Sequence, residues 1–128
     1  MNVTRPIIEH CVDVELEAAR KEHEEFHSLH EAYAVTLEEV EEAQTELSSA
    51  QYCLDALWDD IKTDNTEEAI KFFEKLENYA VNLAAEAIQV AAMARKARTP
   101  SVTGVTAPSG REPFGDGYHQ SKTWFGKE

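Results

Sequence analysis

Residues 79–94, YAVNLAAEAIQVAAMA, decide how this chain is built. Nearly every side chain is small or apolar, a composition that favours helix. On a helix the apolar surface then spreads almost all the way round, so the segment has no wet side and belongs at a centre. Asn82, Glu86 and Gln89 interrupt the run at i, i+4 and i+7, which stacks them in one polar stripe. A carboxylate therefore sits in the middle of a stretch meant for burial. Such a group is costly unless it is paired or bound to metal.

Working outward, the pattern predicts a helix over residues 67–97. Ala69, Phe73, Leu76, Ala80, Leu83, Ala87, Val90 and Ala94 repeat a 4-3 spacing, and Arg95, Lys96 and Arg98 close the end where the macrodipole prefers cations. The polar stretch KTDNTEE at 62–68 breaks the chain before it, with Asp64, Asn65 or Thr66 able to cap. Upstream, residues 29–61 read as a second long helix. Its expected seam is Tyr33, Leu37, Val40, Gln44, Leu47, Gln51, Leu54, Trp58 and Ile61. SLHE at 28–31 reads as a capping box: Ser28 accepts from the Glu31 amide while the Glu31 carboxylate returns to the Ser28 amide. A first, shorter helix is expected over residues 9–26, with Cys11, Val14, Ala18 and Phe26 facing inward and residues 1–8 as a lead-in.

After Thr99 the composition changes. Residues 99–128 hold all five glycines, three of the four prolines, and Phe114, Tyr118, Trp124 and Phe125. This reads as an irregular tail whose aromatics can dock on a neighbour. The domain division is thus a helical domain over 1–98 and a tail over 99–128.

With 128 residues the chain has room for one domain and a modest core. Its formal charge of −13 argues against nucleic acid and against anionic membranes, both of which require basic surface. Cys11 and Cys53 form no metal motif and read as small hydrophobes on helices. The two lone cysteines and the lack of a signal-peptide pattern lead us to expect a reduced, cytoplasmic setting. The longest uncharged helical runs, residues 47–54, 78–85 and 87–94, are eight residues each, far too short for a bilayer span.

The second helix carries LEEVEEAQTE, in which Glu39, Glu42 and Glu46 share one side. Ala32, Ala43 and Ala50 lie on nearly the same strip, and small residues let another helix approach. Like charges at this density repel, and a hard divalent ion relieves that repulsion. Glutamate runs on helices are more often simply solvated. Glu86 shifts the balance: if its stripe faces Glu39 and Glu42, two helices form an acidic pocket. The competing reading is a polar strip fixing register at an oligomer interface.

These residues resemble a family. A helix bearing E-E-x-x-E, followed by a second bearing E-x-x-D and an apolar run, is the signature of the MazG-like all-α nucleotide pyrophosphohydrolases. Here the matches are EEVEE at 38–42 and EAIQ at 86–89, and the chain is similar to the small phage and prophage type over roughly residues 9–98. The resemblance implies Mg²⁺-dependent hydrolysis of a nucleoside triphosphate to monophosphate and pyrophosphate, with Mn²⁺ as a substitute ion. It implies Glu39, Glu42 and Glu86 as metal ligands and Glu38 as the catalytic group that orients or deprotonates water. Asn82 and Gln89 would stand behind them or lend an oxygen. The family pattern has Asp where this chain has Gln89, and often an acid where it has Ala85. The alternative is therefore a weakened relative that binds a nucleotide or a protein partner without turnover.

Lys75, Arg95 and Lys96 are the basic groups available for phosphates, and spacing does not select among them. His23, His27 and His30 recur at i, i+4 and i+7, but the cap at Ser28 interrupts any single helix that would hold a zinc ion on them. Nucleophile-elbow, Walker and dinucleotide-binding patterns are absent from the sequence. The expected fold is an all-α, MazG-like bundle of one short and two long helices. The heptad seams and the apolar third helix lead us to expect completion by oligomerisation, as a homodimer or homotetramer.

Overall fold

The computed structural model describes residues 4–100. They form three helices, α1 (Thr4–Glu22), α2 (Leu29–Lys62) and α3 (Thr66–Arg98), with no strand among the described residues. The chain is all-α, as expected, and no described helix is long and apolar enough to cross a membrane. The tail expected over 99–128 lies outside the described residues, apart from Thr99 and Pro100.

Two compact units divide the chain. One is made of the chain up to Thr36 and from Ala91 onward, the other of Leu37–Val90. In the first, α1 meets the start of α2 and the end of α3. Val12, Leu16, Ala32 and Ala92 are its buried apolar residues. The first helix begins earlier than its sequence suggests, because Pro6 is tolerated inside the first turn, where a missing N–H costs nothing, and it ends earlier, at Glu22. Its buried face is Val12 and Leu16, while Val14 and Ala18 are exposed and Cys11 is only half-buried. Phe26 falls beyond the helix, yet its ring is covered by Lys96, whose Nζ lies 4.5 Å from the ring centroid. Lys96 is only 4 % exposed, so this cation–π contact replaces much of the water its ammonium loses. Arg20 pairs with Glu25 at 2.9 Å, and Arg95 pairs with Asp13.

Ser28 caps α2 by accepting from the Glu31 amide at 3.1 Å. The reciprocal bond is displaced by one residue: the Glu31 carboxylate accepts from the His27 amide at 2.6 Å instead of the Ser28 amide. With α1 ending at Glu22, His23, His27 and His30 share no helix, and the His27 ring lies between Glu24 and Glu31.

The second unit is the antiparallel hairpin of α2 and α3. Its seam on α2 runs Glu39, Ala43, Glu46, Ala50, Cys53, Leu57 and Asp60, the half-buried and buried positions in a 4-3 progression. Cys53 is 2 % exposed and Leu57 3 %, and Ala69 on α3 completes this core. The seam expected from sequence lies one position further round the helix. Leu47, Leu54, Trp58 and Ile61 carry the larger hydrophobes, yet face outward at 44–57 % exposure. Small residues won the inner positions because they let the two helices approach closely, while the bulkier row was left for something else.

The connection between the helices is a Schellman turn. The Asn65 amide donates to the Asp60 carbonyl at 2.8 Å and the Asp64 amide to the Ile61 carbonyl at 3.2 Å, with Asp64 in the left-handed region at φ 57°. Asn65 is the cap among the three sequence candidates, accepting from the Glu68 amide at 3.3 Å. Glycine adopts the Asp64 conformation without a Cβ clash. We expect Asp64→Gly to stabilise the fold by about 0.5–1 kcal/mol, read as a rise in urea midpoint with unchanged slope.

Candidate acidic metal centre

Glu39 and Glu42 stand one turn apart on α2, and Glu86 reaches toward them from α3. One carboxylate oxygen from each lies within 4.8 Å of the others. Among the described residues this is the one His, Cys, Asp or Glu group close enough to share an ion. All three belong to the Leu37–Val90 hairpin, so the two helices that form its core also fix the trio.

The trio is electrostatically unsatisfied. Glu39 and Glu86 are half-buried and Glu42 is exposed. Glu39 Oε1 and Glu86 Oε1 are out of reach of water and receive no N–H or hydroxyl donor. The hydrogen bonds acting on these side chains run from carboxyl to carboxyl, Glu39 with Glu86 and Glu86 with Glu42. Burial first, and then the charges of Glu42, Glu86 and Glu38, hold the Glu39 carboxyl above its ordinary range. Glu86 is raised by burial first, then by the charge of Glu42, with Glu46 adding to it. No lysine or arginine forms an ion pair with any of the three among the described residues. Family, curated-protein and solved-structure comparisons find no match to the chain.

The remaining sequence candidates are distributed around this trio. Glu38 is exposed and close enough for its charge to act on Glu39. Asn82 is exposed and donates from Nδ2 to Glu46 Oε1 across the helix pair at 3.4 Å. Gln89 is half-buried one turn beyond Glu86 and makes no hydrogen bond among the described residues. Glu46 was underweighted by sequence reasoning. Its spacing of seven from Glu39 marks the shared strip, and the structure shows it helping to raise Glu86 and engaging Asn82. Of the basic groups offered for phosphate, Arg95 is paired with Asp13 and Lys96 is buried on Phe26. Lys75 instead lines a groove in the same hairpin as the trio.

Chemically, the arrangement is a set of hard oxygen donors in a strongly negative setting, which suits Mg²⁺ or Mn²⁺ better than a soft ion. Two carboxyls raised by burial and by one another are a cost that one divalent ion would remove. The donor set fits the metal.

Proposed function

We propose that the chain is a MazG-like, Mg²⁺-dependent nucleoside triphosphate pyrophosphohydrolase that cleaves NTP or dNTP to monophosphate and pyrophosphate, acting in the cytoplasm in nucleotide-pool clearance. The observation that carries this reading is the convergence of Glu39, Glu42 and Glu86 from two helices, with buried Glu39 and Glu86 oxygens that no N–H or hydroxyl reaches. These three side chains would hold the ion. When bound, Mg²⁺ neutralises polyphosphate charge and polarises the bond to be broken. Glu38, exposed and adjacent in sequence to Glu39, would take the proton of the attacking water. Glu46 and Asn82 hold one another at the edge of the cluster and restrain its α3 side.

One observation favours a second reading, binding of a nucleotide or a protein partner without turnover: Gln89 supplies no charge where the family pattern has a carboxylate. Calorimetric titration of Mg²⁺ and Mn²⁺, with and without a non-hydrolysable dNTP analogue, followed by a pyrophosphate-release assay, separates the two. We expect metal-dependent analogue binding, pyrophosphate release abolished by EDTA, and a faster rate in Gln89→Asp. Analogue binding without release, in both wild type and Gln89→Asp, would leave the binder. Failure of metal and analogue to bind would end the enzyme and the nucleotide binder and leave only a protein partner.

The same proposal includes a homodimer, built on the outward row of the hairpin. Leu47, Leu54, Trp58 and Ile61 on α2 and Ile70, Phe73 and Val81 on α3 each leave roughly half of their surface in water. Together they offer on the order of 500–700 Å² per copy, close to the ~800 Å² one partner gives to a standard interface. The 4-3 spacing of the α2 row is what a second helical hairpin packs against.

A further inference from the structure

The Leu37–Val90 hairpin also carries an open-sided groove of about 630 Å³, within the range of small-molecule sites. Ser48, Ser49 and Tyr52 line it from α2, and Phe72, Lys75 and Tyr79 from α3. Helical spacing sets it on the side of the carboxylate trio. Tyr79, Asn82 and Glu86 follow one another at i, i+3 and i+7 on α3, while Glu42, Thr45, Ser49 and Tyr52 do so at i, i+3, i+7 and i+10 on α2. The seven residues from Tyr79 to Glu86 amount to about 10 Å along the axis, a separation that a nucleotide spans between its base and its polyphosphate.

The lining has unusual chemistry for a chain of charge −13. Three aromatic rings are gathered in one groove, and Tyr52 is 70 % exposed, although a ring of that size is normally drawn under cover. The hydroxyls of Ser48, Ser49, Tyr52 and Tyr79 have no hydrogen-bond partner among the described residues. The Lys75 ammonium lies 5.0 Å from the Phe72 ring centroid and makes no ion pair with a carboxylate, so a cation is held at the groove. Glu41 lines the groove as well, so Lys75 and Glu41 bring one charge of each sign, and the ring faces and unpaired hydroxyls match a sugar-bearing heteroaromatic ligand. An extended apolar peptide would have no use for the hydroxyls or the ammonium.

We propose that this groove seats the nucleoside portion of the nucleotide whose phosphates meet Glu39, Glu42 and Glu86, with Tyr52, Phe72 and Tyr79 covering the base and Lys75 beside the rings at the end far from the carboxylates. The assignment rests on the metal-dependent reading above, and it makes the groove the determinant of base preference.

The test compares Mn²⁺ alone, Mn²⁺ with tripolyphosphate, and Mn²⁺ with α,β-imido dNTPs carrying each common base, in wild type, Tyr52→Ala and Lys75→Met. At least one analogue should bind ~10-fold or more tightly than tripolyphosphate, and Tyr52→Ala should remove about 10-fold of that margin, the scale of one lost ring stack. Affinity for Mn²⁺ alone should stay within about twofold in both variants, since neither changes a carboxylate. The groove assignment is overturned if no analogue exceeds tripolyphosphate, or if neither variant weakens analogue binding. Tyr52 is a surface side chain, so its truncation leaves the hairpin core intact. Should Mn²⁺ fail to bind at all, the metal reading falls by itself. The groove is then judged by amide shifts on adding nucleoside monophosphates in EDTA: shifts confined to residues 45–53 and 72–79 uphold it, and their absence overturns it.

Discussion

Glu86→Gln should make the protein more stable and, at the same time, inactive. Glu86 is raised by burial and by Glu42, so its folded carboxyl holds a proton more tightly than the unfolded one. The sign follows from linkage: the folded state binds more protons, so wild-type stability falls as pH rises from about the ordinary value of 4.5 through the raised one, and stays lowered above it. A glutamine carries no charge to penalise. At neutral pH without metal, Glu86→Gln should melt above wild type, and the gap should close below pH 4.5, where the carboxyl is protonated in the folded and the unfolded chain alike. Glu39 is raised for related causes, burial first and then its acidic neighbours, so Glu39→Gln should follow the same trend. Added Mg²⁺ or Mn²⁺ should reverse the order by stabilising wild type alone, through mass action on the folded state. Removing one of three charged ligands should weaken ion binding by about 100-fold and lower pyrophosphate release by about 10²–10³-fold. A carboxylate that merely supported the fold would give the opposite result, a lower melting temperature in the variant at neutral pH. Differential scanning fluorimetry across pH, with and without metal, decides between the two.

The sequence reveals this centre because its two halves obey helical spacing. Glu39 and Glu42 are one turn apart, and Glu86 is the single acid in an apolar run, so both faces could be read before the helices were brought together. The long helices were equally legible, since their caps and breaks are local: Ser28 and Asn65 act within three residues of themselves. Which seam of α2 turns inward was not. Two 4-3 rows run side by side, one of Glu39, Ala43, Ala50, Cys53 and Leu57, the other of Val40, Leu47, Leu54 and Trp58. Hydrophobicity favours the second, whereas close helix approach favours the first, and only three-dimensional packing decides between them. The groove was hidden for a related reason. Tyr52, Phe72 and Tyr79 belong to no motif, and they become one surface only when α2 and α3 are antiparallel in this register.

The row that lost that competition carries the second large effect. A soluble monomer has little reason to leave Trp58 57 % and Leu54 55 % exposed one turn apart, with Ile61 beside them. In the homodimer proposed above these side chains form the middle of the contact, where hot-spot residues cluster and truncation commonly costs 2 kcal/mol or more. Leu54→Glu combined with Trp58→Glu places two charges in that centre. We expect at least ~4 kcal/mol of lost association, on the order of 10³-fold in Kd, seen by light scattering as conversion of a dimer to a monomer at micromolar concentration. Neither residue contributes to the Cys53–Leu57 core, so helix content by circular dichroism should be retained. A wild type that is already monomeric would defeat the dimer, as would a double variant that keeps its mass. Unfolding of the variant would instead show that the row supports the hairpin itself; the milder Leu54→Ser, which adds no charge, then has to lower the dimer fraction with the helices intact.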